Sequence, residues 1–171
     1  MQKKKVKDSK IIMAHQMLPQ DANPLGNVHG GVIMRDIDTA GGVAAVRHVR
    51  GNAVTASIDR LDFMAPIYVG NLVHVRASVN MVGESSMEVG VRVEAENIFT
   101  GEVRHTASAY LTFVALDTDG KPTTVPGLIL ASDEEKRRNR EAKDRRTVRL
   151  AEKSKEKKCR RDPKTCETSQ T

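Results

Sequence analysis

The chain has 171 residues, enough for one domain with a sizeable core; with no Trp, two Tyr and three Phe, aliphatic side chains must pack it. The net charge of +6 is unevenly spread: residues 134–161 hold 14 Lys and Arg against 6 Asp and Glu, and the remainder carries 14 basic and 16 acidic residues. The basic excess therefore belongs to a C-terminal tail that lacks aromatic side chains for stacking bases, so no nucleic-acid partner is expected. No apolar run approaches the roughly 18 residues of a membrane span, and the basic N-terminus is not followed by an apolar leader segment, so no membrane partner is expected either. Both cysteines, Cys159 and Cys166, fall in the tail, which predicts a soluble protein of the reducing cytoplasm.

In chain order, residues 1–8 are basic and polar and are expected to fray. Residues 9–18 mix apolar and polar side chains and predict a first strand. Pro19 to Gly26, rich in Pro, Asp, Asn and Gly, is a loop. From His29 to about His48 the pattern is helical, with Ile33, Ile37, Ala40 and Ala44 on one stripe and Val43 and Val46 broadening it. The Gly41-Gly42 pair costs about 1 kcal/mol per residue relative to Ala in a helix and points to close packing against another backbone, as in a helix wrapped by a sheet. Gly51-Asn52 stops the helix.

The period then changes to two. Strands are predicted around residues 54–59, 72–79, 87–95 and 103–114, with Val89, Val91 and Val93 on one face of the third. The short links 83–85 and 99–102 predict hairpins, so the layout is α+β: one long helix and an antiparallel meander. Asp117 to Pro122 is a turn that ends the sheet. Ser132-Asp133-Glu134-Glu135 reads as an N-cap with acids in the first turn, opening a polar tail helix with disorder past about residue 158.

The segment Gly26-Asn27-Val28-His29-Gly30-Gly31 and the helix carboxylate Asp38 carry the chemistry. Small residues at a helix N-terminus leave backbone N–H groups bare toward developing negative charge. Asn27 has two readings, a turn or N-cap residue and an amide that orients water or a carbonyl. His29 is read as a residue that bonds the loop backbone, with a general-base role as the weaker alternative. Asp38 is either a surface helix carboxylate or a general base. Asp36 lies about 200° from Asp38 around the helix, which argues against an Asp-x-Asp metal pair. His15, His48, His74 and His105 have no ligand spacing, so no metal is expected. No Gly-x-Ser-x-Gly nucleophile elbow occurs.

Taken together, Gly-Asn-Val-His-Gly-Gly (26–31), Ile-Asp-Thr-Ala-Gly (37–41), Val-Thr-Ala-Ser-Ile-Asp (54–59), Asp-Phe (62–63), Ser-Ser-Met-Glu-Val (85–89), Leu-Thr-Phe-Val-Ala-Leu (111–116) and Pro-Thr-Thr-Val-Pro (122–126) resemble the hotdog-fold acyl-CoA thioester hydrolases of the cytosolic, brain-type branch. The resemblance implies a hotdog domain over residues 8–130, a long central helix wrapped by a curved antiparallel sheet, followed by a basic helical tail over 131–171, partly disordered. It implies hydrolysis of acyl-CoA to fatty acid and CoA, with Asn27 and Asp38 as the catalytic pair. His29, Gly30, Gly31, Ser85, Ser86 and Met87 would lie near substrate or CoA, and CoA, as part of the substrate, would be the sole cofactor-like group. It also implies homo-oligomers, dimers whose sheets join and commonly trimers of dimers.

Geometry adds a constraint. Residues 29–38 of a helix span roughly 14 Å, too far for one thioester carbonyl to touch both Asn27 and Asp38 of one chain. A composite site is expected, with Asn27 of one subunit facing Asp38 of its partner. Either direct attack of water or an anhydride on Asp38 fits the residues. The tail is read as a solvated helix, with a place beside the CoA phosphates as the alternative. A non-catalytic acyl-CoA sensor is the competing function, and a hotdog dehydratase is a weaker one.

Overall fold

The computed structural model describes residues 2–161. Helix α1 (Gly30–Val49) lies against a five-stranded antiparallel sheet of β2 (Ile11–Gln16), β3 (Asn52–Phe63), β4 (Leu72–Val82), β5 (Ser86–Glu96) and β6 (Val103–Leu116). The strand order is β2-β4-β5-β6-β3. The predicted helix and the strands from β4 to β6 are present, and β4, β5 and β6 form the expected meander. β3 departs from it: the link 64–71 is no tight hairpin, and β3 pairs with β6 at the sheet edge instead of with β4.

The core lies between α1 and the concave face of the sheet. Ile33, Ile37, Ala40 and Ala44 of the helix stripe are buried against Val73, Val75, Val89, Val93, Leu111 and Phe113. The expected approach of another backbone at the glycine pair is corrected: a Cβ at Gly41 would stand 3.0 Å from the Phe113 ring, so the absent side chain makes room for a side chain instead. Val43 and Val46 do not join the core. Both are exposed on the side of α1 that carries Asp38.

Two expectations about the termini are corrected. The N-terminus is ordered: β1 (Lys4–Lys5) pairs in parallel with β7 (Leu128–Ile129), Val6 is buried, and Lys4 Nζ donates to the His48 carbonyl at 2.6 Å. The sequence does not advertise this because a two-residue strand has no period to read.

The tail helix α2 (Asp133–Arg161) is not simply solvated. Ser132 Oγ accepts the Glu135 N–H, and Glu135 Oε2 accepts the Ala131 and Ser132 N–H groups, a capping box that fixes where the helix begins. The helix lies over the outer face of the sheet. Asn139 Nδ2 donates to the Asn80 carbonyl, Ala142 is fully buried, Arg145 makes a two-pronged bridge to the buried Glu88, and Arg149 meets Asp59. Residues 139, 142, 145 and 149 form one helical stripe, and it is mostly polar, which is why hydrophobic periodicity did not reveal it. The helix runs through Arg161, beyond the expected onset of disorder near 158; the rest of that expectation, with Cys166, lies outside the described residues.

Candidate active site

His29 caps α1. Its Nδ1 accepts the Gly31 N–H at 2.9 Å, which supports the backbone-bonding reading of this side chain. Gly31 is small for the same reason, since a Cβ there would sit 3.0 Å from that nitrogen. The other donors of the segment are also engaged: Val28 N–H with the Ile67 carbonyl, His29 N–H with the Asp21 carbonyl and Val32 N–H with the His29 carbonyl. The expected row of bare N–H groups narrows to one. Among the described residues, only the Gly30 N–H of this turn has no acceptor.

The loop before the cap is held by Asn23. Its Oδ1 accepts the Leu25 N–H at 2.9 Å and the Asn27 N–H at 3.2 Å, and its own N–H donates to the Asn27 carbonyl at 2.6 Å. Among the described residues, neither the Asn23 Nδ2 nor the Asn27 side-chain amide makes a hydrogen bond. Both residues line one cavity, together with Gly30, Ile33, Phe63 and Pro66.

Asp38 lines a different cavity, with Gly42, Val43, Val46, Thr55 and Phe113. Its carboxylate is exposed, and Oδ1 accepts a hydrogen bond from Thr55 Oγ1 at 2.6 Å. The wall is mostly apolar, suited to an acyl chain beside a single anion. Within one chain, then, Asn27 and Asp38 open onto separate cavities. Ala44 and Ala45 are fully buried in the core, and Gly42, Val43 and Val46 line this space.

Asp36 faces the other way, toward β2. His15 Nε2 lies 3.2 Å and Arg35 Nε 3.8 Å from its carboxylate, and burial pushes its pKa up. Ser85 and Ser86 are half-buried at the β4–β5 hairpin. Met87 is 1% exposed in the core, so its side chain is not open to a ligand in this chain. Sequence reasoning did not single out Thr55 or Asn23. Thr55 stands in a quoted motif, but its partner becomes visible only once β3 is laid beside α1.

Among the described residues, β3 is paired on one side only, and exposed Val54, Ile58 and Phe63 stand along it. An uncovered apolar edge of this length is a template for a second chain. No described helix is long and apolar enough to cross a membrane.

Residues 25–101 match the thioesterase superfamily. The chain is 42% identical over 129 residues to an uncharacterised acyl-CoA thioester hydrolase of Bacillus subtilis, covering 75% of each protein. It is 35% identical over 139 residues to the rat cytosolic acyl coenzyme A thioester hydrolase, covering 80% of this chain and 36% of the longer rat protein. Among solved structures, the acyl-CoA hydrolase of Staphylococcus aureus, in complex with butyryl coenzyme A, superposes with a TM-score of 0.85 at 37% identity over 91% of this chain and 94% of that one. An apo hexameric acyl-CoA thioesterase gives 0.86 at 38% identity over 89% and 97%. The chain belongs to the thioesterase superfamily, has its hotdog fold, and is one of its acyl-CoA thioester hydrolases.

Proposed function

We propose that the protein hydrolyses acyl-CoA thioesters at a site shared between two subunits, with Asp38 of one subunit as general base and the 23–30 loop of the other presenting amide donors. The observation that carries this reading is the Thr55–Asp38 pair beside an apolar cavity, separate from the cavity that Asn23 and Asn27 line. Spacing supports it. Structures exist of alanine variants of the Staphylococcus aureus enzyme at one aspartate, at an asparagine fifteen residues before it and at a threonine seventeen residues after it. Asn23, Asp38 and Thr55 stand at those spacings here. The reading therefore gives Asn23 the principal amide role, and Asn27, on the same cavity, that of a second donor.

In this mechanism Asp38 takes a proton from water as the water oxygen bonds to the thioester carbon. The carbonyl oxygen becomes an oxyanion facing the Gly30 N–H and the loop amides. One such donor is worth roughly 3 kcal/mol of transition-state stabilisation. Collapse of the tetrahedral intermediate breaks the C–S bond and expels CoA thiolate, which leaves without a strong general acid. Ser85 and Ser86 are the proposed CoA contacts. Joining of two sheets along β3 would bring the halves together, and assembly into a trimer of dimers is the larger arrangement we favour, given the hexameric relative.

The test follows free thiol release over a panel of CoA esters for wild type, Asp38→Asn, Asn23→Ala and Asn27→Ala. Wild type should release thiol, Asp38→Asn should release almost none, and Asn23→Ala should lose more than Asn27→Ala. A wild type that binds CoA but cleaves no ester would make the protein a sensor.

A further inference from the structure

We infer that Arg149 of α2 is a positioning residue for the thioester site, acting through Asp59 and Thr112 on the edge strand that carries Thr55. The inference rests on the proposed role of Asp38 as base.

β3 is an irregular strand. Its register against β6 steps between Thr55 and Ser57 and again between Ile58 and Arg60, so Ala56 and Asp59 are extra residues in two successive bulges. Bulges bend and twist a strand and interrupt its ladder, and this strand has a ladder on one side only. Thr55 stands immediately before the first bulge. Its hydroxyl must stay on Asp38 in a strand whose ladder runs to β6 alone and is broken twice.

The second bulge is pinned from the opposite face of the sheet. Asp59 Oδ1 accepts from Ser57 Oγ, and Asp59 Oδ2 accepts from Thr112 Oγ1 at 2.7 Å. The Arg149 guanidinium donates to both Asp59 Oδ2 and Thr112 Oγ1. The Arg149 and Asp59 side chains are only 15% and 13% exposed, so this charge pair is shielded and keeps its geometry better than a surface bridge. It ties the bulged segment to β6 and α2 within four residues of Thr55.

Arg149 is one of several anchors of α2 on the sheet. Arg145, one turn earlier, holds Glu88 at 2.7 Å and stacks on Tyr110, and Asn139 bonds the Asn80 carbonyl two turns before that. Arg149 is therefore free to serve the strand more than the helix. A catalytic group is productive when held to within about 0.5 Å.

The test is a double-mutant cycle on kcat and KM with one acyl-CoA, using wild type, Arg149→Met, Arg149→Lys, Thr55→Val and Thr55→Val/Arg149→Met. We expect Arg149→Met to lower kcat about tenfold at unchanged KM, since misplacement by an ångström can cost a hundredfold. Arg149→Lys should recover part of the loss. In the Thr55→Val background, Arg149→Met should change kcat by less than about twofold, because the hydroxyl it positions is gone. An equal loss in both backgrounds, or a lowered melting temperature with kcat unchanged, overturns the inference. If Arg149→Met does not fold, Arg149→Lys with and without Thr55→Val closes the same cycle. A wild type that releases no thiol overturns the proposed function itself, an outcome visible before any Arg149 variant is made.

Discussion

Thr55 Oγ1 donates to Asp38 Oδ1 at 2.6 Å, joining the edge strand β3 to the open face of helix α1. A hydrogen bond to a charged acceptor is worth about 1.5–3 kcal/mol, and each 1.4 kcal/mol or so is a factor of ten in rate. Thr55→Val should therefore lower kcat by about tenfold to a hundredfold, with Thr55→Ser close to wild type. Steady-state thiol release on the two variants checks this. Equal activity of the valine and serine variants would remove Thr55 from the site.

The two helix glycines should behave oppositely. A Cβ at Gly41 would lie 3.0 Å from two Phe113 ring atoms in a packed core, so Gly41→Ala should destabilise by about 1–3 kcal/mol through overpacking. At Gly42 the nearest contact is an ordinary 3.8 Å, and Ala gains up to about 1 kcal/mol of helix propensity. Gly42→Ala should thus keep or raise the melting temperature. Because Gly42 lines the Asp38 cavity, it should also raise KM for long-chain more than short-chain esters. Denaturant melts and a chain-length series separate the two effects.

Much of the fold was legible because it is built from repeated apolar positions. The stripe Ile33, Ile37, Ala40 and Ala44 marked α1 and its buried face, and Val89, Val91 and Val93 marked the inner face of β5. Periodicity does not say which strands pair, so the edge position of β3 was not visible. It also treats every apolar side chain as core. Val43 and Val46 are apolar yet exposed beside Asp38, where substrate or a second subunit would cover them in the proposed site. Asp38 follows Ile37 of that stripe and stands at its exposed margin. Thr55 and Arg149 were not legible, since their partners come near only through tertiary packing, and Asn23 was not, since its bonds to Leu25 and Asn27 are those of an ordinary turn residue.

Asp36 gives a pH signature unrelated to catalysis. Its carboxylate is buried, and Oδ2 has no hydrogen bond of good geometry although His15 lies 3.2 Å away. Burial raises its pKa above the ordinary 3.8, with Asp21 adding to the rise and His15 and Arg35 opposing it. The folded state therefore binds the proton more tightly than the unfolded chain, and this contribution to stability declines as pH climbs from 3.8 through the folded-state pKa. Asp36→Asn should be more stable than wild type at neutral pH by about 1 kcal/mol, the lower end of the cost of an unsatisfied buried group. Its advantage should shrink toward pH 4. Urea melts across that range test it, and a constant difference would refute the assignment.

His48 has the opposite sign. It is fully buried, its Nε2 lies 2.8 Å from the Pro126 carbonyl, and its Nδ1 has no partner among the described residues. Burial lowers its pKa below 6.5 against the opposing pull of that carbonyl, with Lys4 adding to the fall. The unfolded chain takes up the proton first as pH falls, so stability present above pH 6.5 is lost as pH drops through the window down to the folded-state pKa. His48→Gln retains a donor for the Pro126 carbonyl and cannot titrate. Its stability should change less between pH 7 and 5 than that of wild type.

The shared site is tested most directly by subunit complementation. Asp38→Asn and Asn23→Ala proteins, each expected to be nearly inactive alone, are unfolded together, refolded as a mixture and assayed for thiol release. In a mixed dimer one site carries both substitutions and the other carries neither. Random pairing should then restore about a quarter of wild-type activity, half of the dimers being mixed and half of their sites intact. A mixture no more active than its two components would mean that each chain completes its own site, and the division of Asn23 and Asp38 between subunits would be wrong.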